Sequence, residues 1–176
     1  MKKLFLSFLL CLCCSVYATA QSSNATLPKS AAKLSAAQKQ QLKSKIAAFK
    51  RSCYGDDPTT LEFQVDTFSI NSIEAIRLES DYSTLGMVEA TMDAAADYDV
   101  LLNKYYNKLK NRLNAKEKAS LQKSQRAWLT FRDADSEFAS EITPNEGTVY
   151  RIVTANNHKE RIANRVLQLF NYYTLQ

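Results

Sequence analysis

The chain has 176 residues with 3 Gly, 3 Pro, one Trp and one His, and a formal net charge of +5. That length fits one domain. So few breakers cannot punctuate a many-stranded sandwich or barrel, which needs a turn signal about every 8–12 residues; the composition points instead to an all-α antiparallel bundle of long helices.

Residues 1–20 have the form of a signal peptide. Lys2 and Lys3 make a basic start, and Leu4 to Val16 is an apolar run of about 13 residues, short for a bilayer span. Ala18-Thr19-Ala20 is a small-x-small cleavage pattern. The expectation is an exported protein, periplasmic or secreted, with no transmembrane segment after cleavage. A lipoprotein signal ending at Cys11, Cys13 or Cys14 ranks below this, because no leucine–small–small pattern precedes those cysteines. Cleavage would leave Cys53 as the one cysteine. It then reads as a half-buried small hydrophobe, with a disulfide-linked dimer as the minor alternative. Loss of Lys2 and Lys3 lowers the net charge to +3. That mild, dispersed charge argues against a nucleic-acid partner.

Residues 21–33 are small and polar and read as a flexible leader, followed by a single helical domain over 34–176. Ser35 is an N-cap candidate for a first helix at about 36–54. Its sparse apolar positions, Leu42, Ile46, Ala47 and Phe49, suggest packing on the outside of something else. Gly55 to Pro58 ends it, and Asp57-Pro58 supplies the N-cap and first residue of the next helix. Over 59–80, Leu61, Phe63, Val65 and Thr67 alternate as a strand would, while Leu61, Val65, Phe68, Ile73 and Ile76 fit a helix. Helix is preferred, with a short extended piece at 61–67 left open.

Ser83 or Thr84 caps a long helix to about Leu113, striped by Met87, Thr91, Ala94, Tyr98, Leu101, Leu102, Tyr105 and Leu109. Asn114 to Glu117 has the form of a capping box. It opens a helix to about Glu141 with Leu121, Ser124, Trp128, Phe131 and Phe138 on its expected inner face. Thr143 to Gly147 breaks the chain before a last helix at about 148–174, which presents Val149, Ile152, Val153, Val166, Leu169, Phe170 and Tyr173. Short connections should set the last three helices antiparallel in an up-and-down bundle, with one or two N-terminal helices added.

The residue types for common catalysis are missing. One His and one mature Cys cannot assemble a Ser-His-Asp, Cys-His or HExxH site, and three glycines cannot supply a phosphate loop. Metal sites want clustered His or Cys. No catalytic residue, metal site or cofactor is therefore assigned. Asp56 with Asp57, and Asp133 with Asp135, read as caps and solvated faces rather than as a glycosidase pair, which normally comes from separate elements.

One segment is richer than an ordinary helix. Gln125 to Asp135 holds Arg126, Trp128, Phe131, Arg132 and Asp133, and it pairs with Leu102 to Tyr106 upstream. Trp128 and Phe131 should point inward, with the Arg132 stem running along the indole. Asn103 in mid-helix is a poor choice unless its amide finds a buried partner. These residues make either a polar seam anchored by Trp128 or a groove lined by Tyr106, Trp128 and Arg132; both hold if the seam opens at one end.

The stretches "LLNKYYNKL" and "QRAWLTFRDADSEF" resemble the LprI-like lysozyme inhibitor domain family over about residues 80–173. The signature falls on Leu102, Asn103, Tyr106, Gln125, Arg126, Ala127, Trp128, Phe131, Arg132 and Asp133, with Arg161 matching an Arg of the last helix and Met87 the Met that opens the long one. The resemblance implies an exported helical domain that binds protein, with Asn103, Tyr106, Arg126, Trp128, Arg132, Asp133 and Arg161 as its binding residues. It also implies disulfide-forming cysteines at positions that here hold Ala90, Ser136 and, nearby, Val153, so this branch must hold its helices by packing alone. The implied partner is lysozyme or another envelope protein; the segment 143–150 is the loop that would reach a lysozyme cleft. The alternative is a structural or interaction module of the cell envelope that does not inhibit lysozyme, its partner on the outer face of 36–54 or on 59–80. An enzyme acting on envelope glycans through Asp or Glu pairs stands behind both.

Overall fold

The computed structural model describes residues 27–142 and 147–176. The expected signal segment and residues 143–146 of the expected loop lie outside the described residues. A short 3-10 helix, Lys29–Lys33, precedes five α-helices: α1 Ala36–Ser52, α2 Pro58–Ser80, α3 Thr84–Arg112, α4 Ala115–Ile142 and α5 Thr148–Thr174. The fold is all-α, with no strand among the described residues.

α1 to α4 each begin where a local side chain satisfies their first free N–H groups. Ser35 and Gln38 form a capping box at α1. The Asp57 carboxylate accepts from the backbone N–H of Thr59 at 2.9 Å and Thr60 at 3.1 Å, with Pro58 following it. Ser83 caps α3 through the Gly86 N–H at 3.0 Å. Asn114 and Glu117 cap α4 reciprocally, at 2.8 and 3.0 Å. Gly147 precedes α5 with φ of +121°, a conformation that favours glycine.

Residues 61–67 are helical throughout. The strand-like alternation loses because the Asp57-Pro58 start nucleates a helix, and the Thr67 hydroxyl donates back to the Phe63 carbonyl at 3.0 Å.

Cross-links fix the directions. Asp66 pairs with Lys104, and the Tyr98 hydroxyl donates to Asn71 at 2.8 Å, so α2 and α3 run antiparallel. Lys159 pairs with Glu74 at 2.9 Å, and the Phe63 and Phe170 rings stack at 4.0 Å, so α2 and α5 are also antiparallel. Arg112 donates to the Tyr173 carbonyl and hydroxyl at 3.0 and 2.7 Å, so α3 and α5 run parallel, C-terminus beside C-terminus. α1 lies on α2 through buried Leu42 and a 4.1 Å stack of Phe49 on Phe68.

The core is therefore α2, α3 and α5, centred on fully buried Tyr105 with Phe63, Phe170 and Tyr173 around it. This departs from the expected core of the last three helices. Leu121 is the only buried residue of α4. Phe131 and Phe138, expected inside, are 58% and 56% exposed, and Ser124 is exposed. α2 has taken the place that α4 was expected to fill.

Part of the expected leader also belongs to the fold. The Lys29–Lys33 turn docks on α3, where the Ser30 N–H and hydroxyl both donate to the buried Asp97 carboxylate. Lys33 joins Arg77 on Asp93 beside it.

Candidate functional site

α5 places Arg161 and Arg165 one turn apart, so both reach toward α4 from one face. Arg165 is only 5% exposed. It donates to Gln125 Oε1 at 3.0 Å and Ser124 Oγ at 3.2 Å on α4, and to Gln168 on its own helix. Burial pulls its guanidinium below the ordinary arginine value. Arg161 pairs with Asp135 at 2.6 Å and donates to Ser136 Oγ at 3.1 Å. α4 thus runs antiparallel to α5 and meets it through long arginine side chains, which hold the two backbones apart.

Trp128 lies on the edge of this seam, half-buried, with the guanidinium carbons of Arg132 and Arg165 at 5.5 and 5.8 Å from its ring centre. Arg132 pairs with its neighbour Asp133 at 2.7 Å.

Beyond Arg161 the seam opens into a groove of about 670 Å³. Ser136, Ala139 and Ser140 of α4 form one wall, and Tyr150, Thr154 and His158 of α5 face them. Val88 and Met92 of α3 also line it. His158 is held below the ordinary imidazole value, first by burial and then by the Arg132 and Arg161 charges, against the opposing pull of Asp133 and Asp99. Its imidazole is thereby biased toward the neutral form, which can both donate and accept a hydrogen bond. Among the described residues no group of three or more His, Cys, Asp or Glu is placed to hold a metal ion.

The structure gathers some of the expected site residues and scatters others. Trp128, Arg132 and Asp133 stand together, with Arg161 farther along at the groove. Tyr106 is half-buried against the main core. Arg126 is exposed on α4. Asn103 is exposed, and its amide donates to the Asp99 carbonyl one turn back at 2.9 Å, so the buried partner expected for it is replaced by a local bond to its own helix. Of the positions where cysteines were implied, Ala90 is buried in α3, while Ser136 and Val153 line the groove.

The sequence reading missed His158, Thr154 and Arg165, and it reached Tyr150 only as the end of the segment 143–150. Arg165 carried a usable signal, since it interrupts the apolar stripe of Ile162, Val166 and Leu169, where a charge needs a built partner. The groove residues carried none, because three separate helices create the groove.

A family model described as Lysozyme inhibitor LprI matches residues 77–169. No curated protein and no solved structure matches the chain.

Proposed function

The chain belongs to the LprI lysozyme-inhibitor family, and we propose that it is an exported protein-binding domain that engages lysozyme through the rim and walls of the α4–α5 groove. The observation that carries this reading is positional. Every residue lining the groove, from Val88 to Arg161, falls inside the matched span 77–169. The rim at the start of α5 offers Tyr150 and Arg151, an aromatic hydroxyl and a cation, as groups suited to a carboxylate-bearing cleft. The basic signal-like start and the small-x-small pattern before Gln21 support export.

The mode of action is occupation of the partner's surface rather than chemistry on it. C-type lysozymes are strongly basic and this chain is also net positive, so long-range approach is repulsive and affinity must come from short-range packing and hydrogen bonds. The test is lytic activity of several lysozyme classes with micromolar amounts of the purified protein. The reading expects a dose-dependent loss of lysis for at least one class. Full activity of all classes, with no binding by calorimetry, would reject it.

A further inference from the structure

α4 carries an apolar stripe that lies away from α5. Ala127, Phe131, Ala134 and Phe138 are all exposed, the two phenylalanines by more than half. Spacings of four, three and four residues put them on one line along the helix. At about 100° per residue, that line is turned roughly 110° from the side that gives Leu121, Gln125, Asp135 and Ser136 to the seam. Exposed aromatics in register on a helix mark a contact surface rather than ordinary scattered apolar area.

We propose that this stripe is a homodimer contact, α4 packing antiparallel on the α4 of a second copy across a two-fold axis. Its order of sizes makes it complementary to itself. Read along α4 it runs small, large, small, large. Reversed, as an antiparallel partner presents it, it runs large, small, large, small. An axis between residues 132 and 133 seats Phe131 on the partner's Ala134 and Phe138 on the partner's Ala127. Each ring thus fills the hollow that an alanine leaves, the interdigitation that close helix packing requires.

Charge agrees with the same register. Lys123 and Glu141 are exposed and flank the stripe on one side, one near each end. The axis that pairs the rings sets Lys123 beside the partner's Glu141, and the symmetry makes this contact twice. The seam from Lys123 to Glu141 is about 27 Å long at ~1.5 Å per residue. One helix face of that length buries less than the ~800 Å² per partner of a standard stable interface, so the dimer is a weak, reversible one whose population depends on concentration. The groove lies on a different side of α4 and stays open in the pair.

Sedimentation equilibrium of the purified protein from about 5 to 500 μM, concentrations that populate weak complexes, tests this directly. The expected result is an average mass that climbs toward twice the monomer. Phe131→Ser should hold it at the monomer, with helicity and melting temperature kept because the ring is exposed. Lys123→Glu and Glu141→Lys should each weaken the dimer roughly tenfold, and the double reversal should restore it. A wild-type protein monomeric throughout overturns the proposal. So does a dimer that survives Phe131→Ser, or a double reversal that fails to recover association.

Discussion

The Arg165 guanidinium of α5 lies 5.8 Å from the centre of the Trp128 ring of α4 while donating to Gln125 and Ser124 of the same helix. This one buried cation meets an indole, an amide and a hydroxyl of a helix that buries only Leu121. Arg165→Met should therefore loosen α4 more than it disturbs the core. The expected cost is about 2–3 kcal/mol, and Arg165→Lys should recover little of it, because one ammonium cannot reproduce the forked contacts. Thermal melts give the cost, and hydrogen exchange should show faster opening of α4 than of α3.

Trp128 and Tyr105 divide the role first assigned to Trp128 alone. Tyr105 is 0% exposed among Phe63, Phe170 and Tyr173, whereas Trp128 is half-buried at the edge. Tyr105→Ala should cost about 3–5 kcal/mol and Trp128→Ala about half that. The Tyr105 hydroxyl has no hydrogen-bond partner among the described residues, and burial pushes its pKa well up. Tyr105→Phe should then be neutral or stabilising by up to about 1 kcal/mol, since it removes a buried unpaired group. A clear loss of stability in that variant would mean the hydroxyl is bonded after all.

What the sequence disclosed follows from how local each determinant is. Caps are local, so Ser35, Asp57-Pro58, Ser83 and Asn114 with Glu117 start the helices where they were expected to. The last helix has the expected bounds without a side-chain cap; a positive-φ glycine, Gly147, precedes it. Which face of a helix is buried is not local. The apolar line of Phe131 and Phe138 looked like an inner face, but the arginines of α5 set the rotation of α4 and turned that line to solvent. Strand-like alternation at 61–67 was overridden by a helix start upstream and by the packing of Phe63 and Val65. Asn103 misled because its side chain bonds its own helix. The Lys29–Lys33 turn was unreadable because the carboxylate that holds it, Asp97, is 67 residues away.

That long-range contact supports a further expectation. Asp97 is 4% exposed and receives both the N–H and the hydroxyl of Ser30. Ser30→Ala removes one charge-assisted bond from a buried carboxylate and should cost about 1–2 kcal/mol. Denaturant melts measure it; an unchanged midpoint would mean that the Ser30 hydroxyl contributes nothing to stability beyond its backbone N–H.

The groove histidine gives a pH signature. His158 is held below 6.5 by burial and by Arg132 and Arg161. A depressed native value means that the unfolded chain takes up the proton first. The stability His158 contributes is therefore complete above about pH 6.5 and is lost as pH falls through its native value. His158→Gln removes this dependence while leaving carboxylate titration in place. Melts at about pH 7.5 and pH 5 should show a larger acid loss for wild type than for the variant. Equal losses would place the imidazole in ordinary solvent.

Whether lysozyme is held in the α4–α5 groove is tested most directly by filling that groove. Thr154 lines it from α5 and is itself exposed, so Thr154→Trp should fold normally while closing the space. Calorimetric titration with a lysozyme that wild type inhibits should then show affinity at least tenfold weaker for this variant, about 1.4 kcal/mol, with the melting temperature unchanged. Undiminished binding by a folded Thr154→Trp protein would contradict the assignment of the groove as the contact site.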